Sequence, residues 1–389
     1  MQKITYKSLL NNKRIRTKHK NKESLSTSTT TNESDISNSH SPSNPSLFKK
    51  NPNLKFKQNI VESNDFCGFN DSFEVYQSKK DNWQCLISPN SLTHNLDIIS
   101  LNNNKLISSL KGHNKKITMV RYFNGDNKKE YLISADIDPV VIIWDISDKK
   151  VIYYKIKLQY KNWIYSCCIL VLNDYDYAIT SCCGAGNTKV YLLKNKKARF
   201  LKNIYQSKNN NVYYLMTWYN VKDKNYYLIE FCKKKVVINN IEENNIYTIF
   251  GQNESGFTYM NGFIYAPEEN TDNNYKDYLF ANSNNGYIYI WDLYEKNLVT
   301  SIFINNCLIN NIVQWNKNII ILSDLNKNSI KILLIDYGIV ISDIYSQCDA
   351  GILCIKKIIH PIYGESLLSS GQDGSIKLWN FNMNNNNDF

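Results

Sequence analysis

The sequence carries one well-formed unit that begins with Leu110-Lys111-Gly112-His113 and ends, about thirty residues later, with Ser134-Ala135-Asp136-Ile137-Asp138-Pro139-Val140-Val141-Ile142-Ile143-Trp144-Asp145. Its apolar run before Trp144 is rich in Val and Ile and has the length of a buried strand. A unit of this size cannot bury an apolar face alone, so it must stack against further copies. This stretch therefore predicts a repeat architecture.

Strands that end like the one at Trp144 recur along the chain with a nearly constant period. The clearest copies are Gly286-Tyr287-Ile288-Tyr289-Ile290-Trp291-Asp292 and Gly374-Ser375-Ile376-Lys377-Leu378-Trp379-Asn380. Weaker copies end at Ser100, Tyr191, Ile238 and Leu333, and the intervals between the seven end positions are 44, 47, 47, 53, 42 and 46 residues. The period predicts seven copies of one strand-rich unit, with turns rich in Asn, Asp, Lys and Gly.

This pattern resembles the WD40-repeat family of β-propellers. The resemblance implies an all-β fold, a seven-bladed WD40-type β-propeller over residues 53–381 with four strands in each blade. The last repeat supplies only three strands before the Asn-rich end of the chain. Because an open ring would leave an unpaired edge, we expect residues 55–61 to form the missing outer strand and to close the ring, as is usual in the family.

The first fifty residues differ in composition from the rest. Residues 1–57 hold twelve Lys or Arg and three acidic residues, a balance of +9 out of the net charge of +11. This segment is also rich in Ser, Thr and Asn, so we predict disordered tails at residues 1–50 and at the Asn-rich residues 382–389. Three interpretations of the basic residues 13–22 stay open: a solvated extension, a nuclear or nucleolar address, and a phosphate-contacting arm or organelle leader.

Compartment and cofactors are constrained mainly by what the sequence lacks. It has no run of about 18 apolar residues, and its first 25 residues lack the apolar core of a signal peptide. We therefore expect no membrane association and a cytoplasmic location, with the nucleus as the alternative suggested by the basic tail. The cysteine pairs 167–168 and 182–183 are adjacent, and adjacent strand residues face opposite sides, so they do not suit one metal ion. We expect no metal, no cofactor and no disulfide.

One set of residues imitates a catalytic site. His113, Ser134 and Asp138 could in principle form an activated nucleophile with its base and orienting carboxylate. Ser134 and Asp138 lie ten and six residues before Trp144, and the resemblance implies that these four side chains form the family's buried structural tetrad. In the last repeat Ser369, Asp373 and Trp379 are expected to form a partial tetrad, with Cys348 where the histidine would fall. No phosphate-binding loop accompanies these residues, so we predict that the protein is not an enzyme and has no small-molecule substrate.

Function is then expected to lie in the loops of the ring. The resemblance implies a protein-interaction scaffold, a subunit or adaptor of a larger complex, that binds other proteins through the loops before each first strand and between the second and third strands. The candidate partner-binding residues are Asn114, Lys115, Lys116, Lys161, Asn162 and Trp163. We weigh Trp163 most heavily, because a large aromatic side chain can anchor a partner. The alternative is an RNA-associated or ribosome-associated propeller whose basic N-terminal tail contacts phosphates.

Overall fold

The computed structural model of the chain describes residues 53–61, 72–77, 84–124, 130–146, 151–158, 164–172, 176–183, 188–194, 197–204, 211–243, 245–251, 259–267, 275–346 and 351–382. Nearly all regular structure in these residues is β-strand; a 3₁₀ turn spans Ile335–Tyr337. The prediction of an all-β propeller is confirmed. Both predicted tails lie outside the described residues, apart from Asn382, which ends the last strand.

The described strands form seven four-stranded antiparallel sheets, which we call blades 1 to 7. After β1 (Asn53–Val61), the strands of blades 1 to 3 are β2 (Glu74–Gln77), β3 (Gln84–Pro89), β4 (Leu96–Ser100), β5 (Leu106–Leu110); β6 (Ile117–Asn124), β7 (Glu130–Asp136), β8 (Val140–Asp145), β9 (Val151–Lys157); and β10 (Ile164–Leu172), β11 (Asp176–Cys183), β12 (Thr188–Lys194), β13 (Lys197–Asn203).

Blades 4 to 7 continue in the same order. Their strands are β14 (Val212–Asn220), β15 (Asn225–Cys232), β16 (Val236–Asn240), β17 (Asn245–Phe250); β18 (Tyr259–Tyr265), β19 (Tyr278–Ser283), β20 (Tyr287–Asp292), β21 (Asn297–Phe303); β22 (Ile309–Gln314), β23 (Ile319–Asp324), β24 (Ser329–Leu334), β25 (Ile339–Tyr345); and β26 (Ile352–His360), β27 (Gly364–Gly371), β28 (Ile376–Asn382).

The first strands of successive blades contact one another, whereas the fourth strands carry the most exposed side chains. First strands therefore line the centre and fourth strands form the rim. Because the strands in each blade alternate in direction, the turns between second and third strands share one edge with the connections between blades. We call this edge the upper edge, and the opposite one the lower edge.

Apolar side chains fill the space between neighbouring blades. Between blades 1 and 2, for example, Ile98 and Leu110 pack in one cluster with Leu132, Ile142 and Trp144, all at most 4% exposed. Each blade buries its faces against its neighbours, as expected for repeated units that cannot bury an apolar face alone. Equivalent clusters join blades 2 and 3, 3 and 4, and 4 and 5.

Polar side chains on the inner strands add hydrogen bonds between blades. Arg121 of β6 donates through Nη1 to the carbonyls of Cys167 (2.9 Å) and Leu215 (2.6 Å), and so joins blades 2, 3 and 4. Asn310 of β22 donates to the carbonyl of Leu353 in blade 7 at 2.7 Å. These side chains satisfy backbone groups that would otherwise be buried without partners.

The ring closes between blades 7 and 1, and β1 is the outer strand of blade 7. It pairs antiparallel with β28 from Asn53↔Asn382 to Val61↔Ile376. Phe56 meets the indole of Trp379 edge-on, with ring centroids 5.6 Å apart. On the inner side, Lys356 Nζ donates to Glu74 Oε1 of blade 1 at 2.6 Å. The N-terminal closing strand is therefore in the place expected from the sequence.

Many asparagine and aspartate residues have a defined role in the turns. The side chains of Asn90, Asn240, Asp292 and Asn316 each accept two backbone N–H groups from the turn that follows them. Such Asx contacts replace backbone partners where a strand ends. The Asn-rich composition of the described turns thus has a structural use.

A carboxyl group is completely buried in blade 4. Glu230 of β15 is 2% exposed, and Asn239 Nδ2 donates to its Oε2 at 2.9 Å. Burial raises the pKa of Glu230 from 4.5 to about 7, although the hydrogen bond from Asn239 acts in the opposite direction. The folded protein therefore holds a proton that the unfolded chain loses at lower pH.

Glu230→Gln is expected to stabilise the protein increasingly as pH rises from about 4.5 to 7. Below this range both states of the wild type are protonated; within it only the unfolded state ionises, so wild-type stability falls, on the order of 3 kcal/mol in total. Denaturant unfolding of both proteins at several pH values measures the difference. The exposed Glu242→Gln is the matched control, and a pH-independent difference for Glu230→Gln would contradict the prediction.

Candidate functional site

Four side chains of the unit that ends at Trp144 form a buried hydrogen-bonded network in blade 2. His113 Nε2 lies 2.7 Å from Ser134 Oγ, and His113 Nδ1 lies 2.7 Å from Asp136 Oδ2. Trp144 Nε1 donates to Ser134 Oγ at 2.8 Å. The network joins the connection before β6 to the strands β7 and β8.

A histidine protonated at Nδ1 satisfies every contact in this network. The indole N–H donates to the serine, the serine O–H donates to Nε2, and the Nδ1–H donates to the carboxylate. His113 is 6% exposed, and the other three residues are at most 1% exposed. Because buried polar groups are costly without partners, the network is a stabilising element of the blade.

The carboxylate of the network is Asp136, and the prediction of Asp138 is wrong. Asp136 is the last residue of β7, so its side chain lies inside, beside the histidine. Its Oδ1 also accepts the backbone N–H groups of Asp138 (3.0 Å) and Val140 (3.1 Å). Asp138 lies in the following turn and faces outward, where its carboxylate is 3.8 Å from Lys157 Nζ. The two aspartates are two residues apart, and only the conformation of the turn separates their roles.

Gly112 allows the connection to cross the indole. A Cβ at this position would lie 2.7 Å from Trp144 Cη2 and 2.9 Å from Ile152 Cδ1. The two residues of the Gly-His pair therefore have different structural roles. Gly112 permits the close approach to Trp144, and His113 makes the hydrogen bonds of the network.

Blade 7 retains half of the network. Trp379 Nε1 donates to Ser369 Oγ at 2.8 Å, as the partial tetrad predicts. Asp373, however, accepts from the backbone N–H (3.0 Å) and hydroxyl (2.8 Å) of Ser375 and so stabilises its own turn. Its assignment to the partial tetrad is wrong for the same reason as that of Asp138. Cys348 lies outside the described residues.

Blade 6 has an ionic network that was not expected from the sequence. Lys331 of β24 is 4% exposed, and its Nζ contacts the carboxylates of Asp343 and, at 3.5 Å, Asp324. Asp324 ends β23 as Asp136 ends β7. The buried thiol of Cys307 lies beside it, and burial, followed by the charge of Asp324, raises the pKa of Cys307. A lysine within the apolar run of β24 could have indicated this network from the sequence. Its partners could not be identified there, because Asp343 lies twelve residues after it and Asp324 seven residues before it.

The network in blade 2 is unsuited to nucleophilic catalysis. Ser134 is 0% exposed, and its oxygen already accepts the indole N–H of Trp144. A substrate cannot reach this hydroxyl without displacing the core of the blade. The serine, histidine and aspartate therefore serve to hold the connection over residues 111–116 against the turn over residues 137–139.

Two segments of the chain match the family model described as "WD domain, G-beta repeat", residues 104–145 and residues 342–380. The first segment contains the complete network, and the second contains the Trp379–Ser369 pair. The chain is a β-propeller that carries WD repeats in these two segments. No curated protein sequence matches the chain.

Three of the six candidate binding residues of the WD-repeat propeller lie at its upper edge. Asn114 and Lys115 are exposed and Lys116 is half-buried, directly after the buried His113. The carbonyl of Lys116 accepts the N–H of Ile137, which ties this connection to the turn between β7 and β8. The remaining candidates, Lys161, Asn162 and Trp163, lie outside the described residues.

The described part of the WD-repeat propeller offers neither a cluster of metal ligands nor a membrane-spanning helix. No group of three or more His, Cys, Asp or Glu side chains there could hold a metal ion. None of the described helical segments is long and apolar enough to span a membrane.

Proposed function

We propose that this WD-repeat propeller is a non-enzymatic scaffold, a cytoplasmic adaptor or subunit that binds partner proteins at the upper edge of blade 2. The observation that supports this proposal is the contrast within residues 111–116. Asn114 and Lys115 face solvent, whereas the adjacent His113 is fixed by a buried network. A surface held by a rigid support loses little conformational entropy when it binds a partner.

Proximity labelling with the tagged full-length protein tests this proposal. We expect the triple variant Asn114→Ala/Lys115→Ala/Lys116→Ala to lose a defined subset of the proteins labelled by the wild type, without a change in melting temperature. The matched control is Asn102→Ala/Lys105→Ala/Lys197→Ala, which removes the same residue types, all exposed, from the lower edge. Equal labelling by wild type and upper-edge variant would contradict the proposal.

The RNA-associated alternative is tested in the same experiment. If the basic N-terminal segment supplies the main contacts, a chain without residues 1–48 loses ribosomal or other RNA-bound proteins, and the upper-edge variant keeps them. If the scaffold proposal is correct, the chain without residues 1–48 keeps its labelled partner proteins, and the upper-edge variant loses a subset of them.

A further inference from the structure

The upper edge of the ring carries an uneven distribution of charge. In blade 2 five lysines lie on the connection before β6 and on β9: Lys111, Lys115, Lys116, Lys155 and Lys157. Asp138 is the one exposed acidic residue in the described upper turns of this blade, and Asp136 is buried against His113. The upper edge of blade 2 is therefore strongly basic.

A hydrogen bond and an ion pair place two of these lysines, Lys155 and Lys157, against the upper connection and the upper turn. Lys155 Nζ donates to the carbonyl of Gly112 at 2.6 Å, which brings β9 against the connection. Lys157 Nζ lies 3.8 Å from the carboxylate of Asp138, with both side chains more than half exposed. Exposed pairs of this kind are weak, so Lys157 can exchange its partner at little cost.

The other described upper turns differ from those of blade 2. In blades 5, 6 and 7 Lys327 is the one exposed lysine among the described upper-edge residues, and Asn predominates. Blade 4 repeats the basic character on its upper turn with the exposed Lys233 and Lys234. Lys234 has a φ of 77°, a conformation that favours glycine or asparagine. Local turn chemistry thus does not explain a lysine at this position.

Two apolar side chains are exposed in the upper turns of blades 1 and 2. Leu92, in the upper turn of blade 1, is 85% exposed, and Ile137, in the upper turn of blade 2, is 39% exposed. The Leu92 turn is ordered, because Asn90 Oδ1 accepts the N–H groups of Leu92 and Thr93 at 3.1 Å. A leucine held in solvent by an ordered turn adds nothing to the core and is available for a partner.

We infer that the upper edge of blades 1 and 2 binds an acidic protein segment that carries large apolar side chains. This inference rests on the proposed scaffold function and names the chemistry of the partner. The lysines complement carboxylate or phosphate groups, and Leu92 and Ile137 supply contacts for apolar side chains. A nucleic acid fits less well: the described upper turns of blades 1 and 2 expose neither arginine nor an aromatic ring for base stacking.

The test uses the full-length protein and three labelled probes in fluorescence anisotropy. The first is a peptide of Asp and Glu interspersed with Leu and Phe; the second has Ser in place of each Leu and Phe; the third is an oligouridylate of equal charge. We expect the first probe to bind tightest, and its affinity to fall with rising salt. Lys115→Glu/Lys116→Glu should weaken its binding about tenfold, and Leu92→Ser/Ile137→Ser should reduce the advantage of the first peptide over the second.

The matched control is Lys105→Glu/Lys197→Glu, the same charge reversal at exposed sites on the lower edge. Equal loss of binding in this control would overturn the inference, as would equal affinity of the two peptides. Tightest binding by the oligouridylate, lost in the upper-edge variant, would assign the surface to nucleic acid instead. If no probe binds but proximity labelling still depends on Lys115 and Lys116, the scaffold function stands and the acidic class of partner is wrong.

Discussion

Asp136→Ala is expected to lower the free energy of unfolding by about 3–5 kcal/mol, whereas Asp138→Ala should change it by no more than about 0.5 kcal/mol. Asp136 is 1% exposed and accepts from His113 and from two backbone N–H groups. Its removal leaves three donors without an acceptor: the buried Nδ1–H of His113 and the partly buried N–H groups of Asp138 and Val140. Asp138 loses only a weak, exposed contact with Lys157.

Denaturant unfolding of both variants measures this difference. Asp136→Asn is a useful third variant, because an amide oxygen can still accept from the turn N–H groups, so it should be less damaging than alanine. The two alanine variants change the same residue type two positions apart, and each controls for the other. Equal destabilisation, or a larger effect at Asp138, would show that the network is not organised around Asp136.

A chain that begins at residue 62 is expected to lose cooperative folding, while one that begins at residue 49 keeps the wild-type melting temperature. Removal of β1 exposes the edge of β28 along its length and uncovers the ring of Trp379, which is packed against Phe56. It also removes the buried side chain of Leu54. An unpaired apolar edge favours aggregation, so we expect loss of soluble monomer.

Thermal unfolding and size-exclusion chromatography measure the effect of the truncation. Complementation makes the test sharper: a synthetic peptide of residues 51–63, added during refolding, should restore soluble protein to the chain that begins at residue 62. A peptide in which Leu54 and Phe56 are replaced by Ser is the matched control and should not. Similar melting temperatures for the two truncated chains would contradict the closure role of β1.

Most of the architecture could be predicted from local features of the sequence. The period of Trp-ending strands predicts where the third strands lie, because a buried strand needs a continuous apolar run and a turn on each side. The strand predicted to end at Ser100 is β4, and the closing strand predicted at residues 55–61 lies within β1. Each of these features depends on a few adjacent residues, and adjacent residues are what a sequence shows directly.

The polar networks were harder to predict, because they depend on where turns direct their side chains. Asp136 and Asp138 have similar spacing from Trp144, and the turn over residues 137–139 directs one inward and the other to solvent. The contact between Lys331 and Asp343 requires the register of β24 against β25, in which Lys331 and Asp343 are direct partners. Register arises from pairing across strands, and the local sequence does not encode it.

The sequence alone determined that this chain is a ring of repeated sheets, because burial of one face on every unit leaves stacking as the stable arrangement. Only the tertiary structure decided which carboxylate completes the network of His113 and which lysines share a surface with Leu92 and Ile137. The ring of sheets follows from apolar periodicity along the chain. The His113 network and the lysine surface depend on angstrom-scale distances between residues of different strands, which exist only once the blades have packed.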